Sequence, residues 1–373
     1  MVYNLFVIAS AFILYGYYHN KYRDDRYINA IFILMWIIFS IEFYTTKDYP
    51  VYYKGFYNLE NNENWEPVYK FLVEAFQPVG FIVFNAVVVA FEIFTLCFFF
   101  KKVVPPKYRW LSLTILMLDT GNLFLFMNLK RQFFAMMVAI WIVYFLLYSQ
   151  HKYRYLFSIF AFLVAINIHS SAYIAIGYFL LPFIKVRLNK VAILSILLVY
   201  IASYTFRLSS FSDQLFLLLS STGSNADYYD AYILQQEDYE GTSSGMGNFV
   251  LLYNLSMFLL LLFLNKKFTE QQYKLVLCSI LSFILMNILK GNFYRLYFYY
   301  SIFNIFNISV LLMTLFKQKR TLFLVYLICL AFALPIKSYY NAFFGEKISY
   351  MTIKYRHFYT IFHTNPDKRD YLF

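Results

Sequence analysis

Charged residues make up only 14% of this 373-residue chain. An ordinary soluble domain carries about a quarter, so the shortage excludes a soluble globular protein. Cysteine is nearly absent: Cys97, Cys278 and Cys329 all fall inside apolar stretches, and their odd number offers neither a disulfide framework nor a metal site. The 11 glycines form no phosphate-cradling loop. There is no pair of histidines one helical turn apart for zinc, and no nucleophile elbow. The aspartates are not grouped as the paired acidic ligands that hold magnesium or manganese beside a sugar nucleotide. A metal-independent reaction without a cofactor is therefore expected.

What fills the chain instead is apolar: 61% of residues are hydrophobic and 23% aromatic. Runs of about 16 to 22 apolar residues recur some twelve times, each close to the roughly 20 that cross a bilayer as a helix. The fold class expected is all-α, a polytopic integral membrane protein of about 12 transmembrane helices in one domain. Spans are placed near 2–18, 28–45, 79–100, 110–127, 132–148, 155–169, 171–184, 191–206, 248–264, 275–290, 297–316 and 321–336. The first lacks a basic leader and a clear cleavage site, and reads as a retained helix. The 38 tyrosines and 45 phenylalanines read mostly as the usage of an AT-rich genome and as interfacial aromatic belts rather than a sugar-stacking surface.

The formal charge of +12 is informative through its position. Alternate short connections hold Lys21, Arg23 and Arg26; Lys101, Lys102, Lys107 and Arg109; Lys152 and Arg154; Lys185, Arg187 and Lys190; Lys266, Lys267 and Lys274; and Lys317, Lys319 and Arg320. Against these 18 of the chain's 32 cations stand only Asp24, Asp25 and Glu270. The positive-inside rule puts those connections in the cytoplasm. Acidic loops at 46–78 and 207–247 then lie outside, with room for short interfacial helices such as one over 66–77. The basic tail, 338–373, also falls outside, which strains the rule.

A charge within or beside the hydrocarbon costs about 2.5 to 3.5 kcal/mol near a helix centre, so each needs an explanation. Asp48, Arg131, His169 and Arg295 all map to span ends on the outer face. Two guanidiniums grip a phosphate or pyrophosphate through fixed bidentate donors and keep their charge at any working pH. A carboxylate or imidazole beside them accepts the proton of an attacking hydroxyl. Blander roles stand against these: snorkelling of the arginines, and above all of Lys130, to headgroups; an Asx turn of Asp48 before Pro50; and a helix end at His169, with Ser170 and Ser171 capping the next helix. Glu66-Pro67 reads as a helix start. Glu92 and Asp119 lie deeper and need a cation, a proton or a role as glue between helices.

The order of these residues resembles the EpsG-like branch of Wzy-type polysaccharide polymerases. Thr46-Lys47-Asp48-Tyr49 with Tyr52 is similar to the family's Gly-Thr-Asp-Tyr-x-x-Tyr element, with Thr46 and Lys47 in place of Gly-Thr. Glu66-Pro67-x-Tyr69 looks like its following Glu-Pro segment. Arg131-Gln132-Phe133-Phe134-Ala135 resembles Arg-Gln-x-x-Ala. Ile168-His169-Ser170-Ser171-Ala172 resembles aromatic-His-x-Ser-Ala, with Ile168 departing from the aromatic. Arg295 with Tyr299 one turn on also fits.

The resemblance implies transfer of a growing glycan from undecaprenyl pyrophosphate to a hydroxyl of the next lipid-linked repeat unit, at the outer face of a bacterial cytoplasmic membrane. It implies a lipid-linked oligosaccharide and membrane lipid as partners, with a chain-length regulator protein as a further one, and no nucleic acid. It assigns Arg131 and Arg295 to the pyrophosphate and Asp48 or His169 to the acceptor hydroxyl, with Tyr49, Tyr52, Glu66, Gln132, Ser171 and Tyr299 shaping the site. A glycan ligase using the same groups, a membrane O-acyltransferase built on the histidine, and a flippase of lipid-linked sugars are the alternatives. The acyltransferase leaves the arginines with less to do, and a flippase is expected to show repeated halves and charged residues along a through-path.

Overall fold

The computed structural model describes residues 2–340 apart from 23, 43–47, 60–64, 119–122, 124–127, 206–246, 265, 267, 290–294, 318–331, 333–335 and 337–339. Among the described residues all regular structure is helical. The chain divides into two units, Met1–Pro182 with Arg320–Phe373, and Phe183–Lys319.

In the first unit, α1 (Val2–His19) and α6 (Pro106–Leu118) run antiparallel, because the Tyr3 hydroxyl donates to Met117 O at 2.6 Å and that of Tyr17 to Pro106 O at 3.0 Å. α2 (Arg26–Ser40) and α5 (Phe81–Val103) form a second antiparallel pair. At one end Lys101 donates to Asn29 Oδ1; at the other, Asn85 Nδ2 donates to Phe39 O and Ser40 O. Those two carbonyls belong to the last turn of α2, which has no partners of its own, so one buried amide ends the helix. α7 (Lys130–Leu147) lies parallel to α5, with Phe91 on Phe134 and Trp141 Nε1 donating to Thr95 Oγ1 at 3.0 Å. α8 (Arg154–Ile168) returns antiparallel against α7, pinned by Phe145 on Phe157.

Two short helices sit outside this bundle. α3 (Tyr49–Tyr57) begins at Asp48 with Pro50 in its first turn, and α4 (Pro67–Phe76) begins at Glu66 with Pro67 at its first position. Proline fits there because its missing N–H has no helical acceptor to lose. A short helix is thus present within the stretch 66–77 where one was expected. A 3₁₀ turn (Gln77–Val79) and Gly80 lead from it into α5. α8 gives way at His169 to a 3₁₀ segment, Ser170–Phe183.

The second unit packs α9 (Lys190–Thr205), α10 (Gly247–Phe263), α11 (Glu270–Ile288) and α12 (Phe298–Lys317). α11 opens with a reciprocal capping box between Thr269 and Gln272. Asn307 of α12 donates to Leu275 O and Ser279 Oγ of α11, and the Arg187 guanidinium stacks 4.3 Å from the Tyr273 ring centroid.

Among the described residues helices stand over the expected spans, with a 3₁₀ segment at the one near 171–184, while most of 119–127 and of the span expected near 321–336 lies outside them; three of the described helices are long and apolar enough to cross a membrane: Phe81–Val103, Lys130–Leu147 and Glu270–Ile288. Large apolar side chains such as Phe12, Phe94 and Phe160 point outward and are 74%, 59% and 67% exposed. Water would penalise such a surface and lipid does not. All but the last residue of the expected outer loop 207–247 lies outside the described residues, as do Asp119, Cys329 and all of the tail 338–373 except Tyr340.

Candidate functional site

The parallel and antiparallel pairings bring the start of α7, the end of α8 and the starts of α3 and α4 to one end of the first unit. The basic cluster of Lys101, Arg109 and Asp25 lies at the opposite end of α5. Arg131, His169, Asp48 and Glu66 therefore share one end although they are spread over more than a hundred residues of chain.

Glu66 joins three of these elements. Its Oε2 accepts from Arg131 Nη1 at 2.7 Å and its Oε1 accepts the Ser170 backbone N–H at 2.8 Å. Charge-assisted bonds of this length are the stronger kind, and they tie α4 to α7 and to the bend after α8. The Arg131 guanidinium also stands 5.4 Å from the Trp65 ring centroid and 5.7 Å from that of Tyr69, and it is hydrogen-bonded to the Tyr52 side chain. Rings at that range attract a cation through their negative faces. Burial holds the Tyr69 phenol protonated far above its ordinary range, so no second anion competes for the guanidinium. Arg131 Nε is buried and makes no hydrogen bond. One oxygen of Glu66 occupies one arm of the fork, so Nε stays uncommitted to any protein acceptor.

His169 ends α8 and turns back on the next segment. Its Nδ1 accepts the Ser171 N–H at 3.1 Å and lies 2.7 Å from Ser171 Oγ. A nitrogen that accepts a backbone N–H carries no proton, so a neutral His169 carries its hydrogen on Nε2. Ser170 and Ser171 were expected to cap the next helix through their side chains; the imidazole performs that service for Ser171, and Glu66 receives the Ser170 N–H.

Asp48 sits before α3 and makes no side-chain bond to the helix start, so an Asx turn is not what holds it. It clasps Asn128 reciprocally: Asn128 Nδ2 donates to Asp48 Oδ2 at 2.9 Å and the Asp48 N–H donates to Asn128 Oδ1 at 2.9 Å. Asn128 precedes Arg131 by three residues, so the clasp anchors α3 to the start of α7. Tyr49 is buried, and the Lys130 ammonium stands 5.3 Å from its ring centroid. Gln132 is buried on α7.

Lys130, expected to snorkel to headgroups, turns inward instead. It pairs with buried Glu42 and donates to Asn85 Oδ1 at 2.9 Å, with its side chain 11% exposed. A carboxylate as buried as Glu42 demands a cation, and that demand outweighs the pull of the headgroups. Arg295 is exposed and Tyr299 buried at the start of α12, in the second unit. Thr46 and Lys47 lie outside the described residues.

Sequence reasoning passed over Asn128 and Trp65. Each had a local signal, since Asn128 is a polar residue at a span end near Lys130-Arg131, and Trp65 directly precedes Glu66. Among the described residues no group of three or more His, Cys, Asp or Glu side chains is placed to hold a metal ion.

No curated protein and no solved structure matches the chain. The model of the EpsG family, a family of polysaccharide-biosynthesis polymerases, matches residues 25–357, a stretch that runs from before α2 into the C-terminal tail and takes in Asp48, Glu66, Arg131, His169 and Arg295. With those motif residues inside so long a match, the chain belongs to the EpsG family.

Proposed function

We propose that this protein polymerises a surface glycan at the outer face of a bacterial cytoplasmic membrane, moving the growing chain from undecaprenyl pyrophosphate to a hydroxyl of the next lipid-linked repeat unit. The acceptor oxygen bonds to the anomeric carbon, the bond from that carbon to the pyrophosphate oxygen breaks, and the acceptor proton passes to a side chain. The observation that carries the reading is Arg131: a buried guanidinium ordered by Glu66 and two aromatic rings, with Nε donating to no protein group. Such a preorganised donor stabilises charge as it develops on a leaving group, the largest single contribution in many enzymes.

Of the two proton acceptors the sequence offers, Asp48 is the one the geometry favours. His169 keeps Nδ1 turned to Ser171, and its Nε2 then presents a hydrogen rather than a lone pair. His169 serves as a donor to the departing pyrophosphate or to a sugar hydroxyl. Tyr49, Tyr52, Gln132 and Ser171 shape this end of the bundle in the proposal. Arg295 and Tyr299 enter it from the family resemblance alone, as do the twelve-span topology and a chain-length regulator as partner.

The test uses purified protein in nanodiscs with lipid-linked repeat units. Arg131→Lys keeps the charge and loses the planar fork, and turnover should fall by roughly 10²-fold, the loss typical of one missing oxyanion donor. Asp48→Asn should cost more turnover than His169→Ala. Full-length glycan from Arg131→Lys, or a milder loss from Asp48→Asn than from His169→Ala, would reject the respective assignment. The acyltransferase alternative, in which His169 activates a sugar hydroxyl, expects the opposite order: His169→Ala abolishes transfer while Arg131→Lys is tolerated.

A further inference from the structure

Beneath Arg131, on the inner side of Tyr69, the first unit encloses a cavity of about 30 Å³. Apolar side chains line most of it, among them Phe39, Phe84, Ile93 and Leu123, but Glu42, Asn85, Glu92 and Lys130 also reach it. A space of that size admits about two water molecules, and the few polar groups that reach it give them hydrogen-bond partners. Such a group of charges within the bundle is costly and calls for a reason.

The polar contacts leave a definite remainder. Lys130 pairs with Glu42 Oε1 and donates to Asn85 Oδ1, while Asn85 Nδ2 is committed to Phe39 O and Ser40 O. Glu42 Oε2 and Glu92 Oε1 are buried and bond to no protein group. Glu42 is 1% and Glu92 6% exposed. Glu92 is the middle residue of α5, two turns beyond Asn85 on the same face, hence about 10 Å deeper along the axis. Among the described residues no cation stands within ion-pair distance of it. The titratable groups facing it are Glu42 from the end of α2, Lys130 from α7 and Tyr69 from α4.

Two carboxylates and one ammonium leave one negative charge over. A metal cation is a poor way to cancel it, because Glu42 and Glu92 offer a few carboxylate oxygens at most and the Lys130 ammonium already lies in the cavity, whereas hard cations take six or more oxygens. A proton needs only one oxygen and is not repelled into a new coordination shell. We propose that this cavity is a hydrated proton-holding site in which Glu92 is the carboxylic acid, Glu42 remains the carboxylate paired with Lys130, and water joins Glu92 to the free oxygen of Glu42.

Infrared spectroscopy of the full chain in nanodiscs tests this without reference to glycan turnover, so its outcome is independent of the polymerase reading. At neutral pH the protein should show a protonated-carboxyl C=O band that shifts when H₂O is exchanged for D₂O. Glu92→Gln should lose that band, and Glu42→Gln should retain a carboxylic acid band or shift it. A folded Glu92→Gln protein with an unchanged band overturns the proposal, as does loss of the band when choline chloride is replaced by sodium chloride, which would assign a metal cation. Solid-state NMR of wild-type protein labelled with ¹³C-glutamate needs no variant: it should show a protonated glutamate carboxyl at neutral pH, and finding every glutamate ionised overturns the proposal even if Glu92→Gln fails to fold.

Discussion

At the scale of single residues, the site is defined by how one cation is kept in place without being consumed. Glu66 takes one arm of Arg131 and spends its other oxygen on a backbone N–H, so it orders the guanidinium without closing the fork. Tyr69 works on both sides of this arrangement, since its ring faces Arg131 and also walls the cavity below. Its buried phenol resists ionisation, while in the unfolded chain the same group loses its proton above about pH 10. Above that pH the unfolded state therefore binds fewer protons than the native state, and stability falls as pH rises. Tyr69→Phe removes this contribution, so the thermal midpoint of the variant in detergent should decline less steeply than wild type through the alkaline range. Parallel slopes would show that Tyr69 ionises freely. The sequence made Arg131 visible as a charge that a membrane protein must justify, and Glu66 as a helix start before Pro67. It could not reveal that Lys130 turns inward, because the carboxylate that draws it, Glu42, lies 88 residues away along the chain.

Among the elements, the short helices α3 and α4 depend on their starts and on one turn. Proline at the first helical position of α4 was enough to locate that helix from sequence, whereas Pro50 in the first turn of α3 reads there as following an Asx turn at Asp48. The passage from α4 into α5 was less legible. Gly80 adopts φ +89 and ψ 161, a region open almost only to glycine, and its N–H bonds back to Phe76 O and Gln77 O. An added Cβ would meet nothing closer than Tyr57 Oη at 3.6 Å, so crowding is not the obstacle. Gly80→Ala should therefore cost about 1 to 3 kcal/mol through backbone strain alone. Scanning calorimetry should register it as a lowered unfolding temperature, and an unchanged midpoint would mean the turn relaxes freely. The same reasoning explains why the 3₁₀ segment after His169 escaped the pattern of apolar residues. Its composition is as apolar as a span, and only the bonds made by His169 and Glu66 reveal where the α-helix stops.

For the molecule as a whole, apolar runs showed that the chain is helical and built for lipid, and of the twelve spans they suggest, the described helices include three of spanning length and apolarity. Arg131 and Arg295 were paired on the sequence by chemistry, and they belong to separate units. Within the first unit the charge pattern and the helix pairings agree. α5 is about 34 Å long at 1.5 Å per residue, which matches the bilayer core. One of its ends leads to Glu66 and Arg131, and the other carries Lys101 and Lys102. By the positive-inside rule the proposed function expects the lysines in the cytoplasm and the candidate site outside. Single cysteines read that direction in a chain whose own Cys97, Cys278 and Cys329 have been replaced by serine or alanine. Val79→Cys, on an exposed position beside the site, should react with a membrane-impermeant maleimide in intact cells, and Lys107→Cys only after the membrane is opened. The reverse pattern would place Arg131 in the cytoplasm, where a donor already carried across the membrane on undecaprenyl pyrophosphate could not reach it, and the polymerase proposal would fall with the topology.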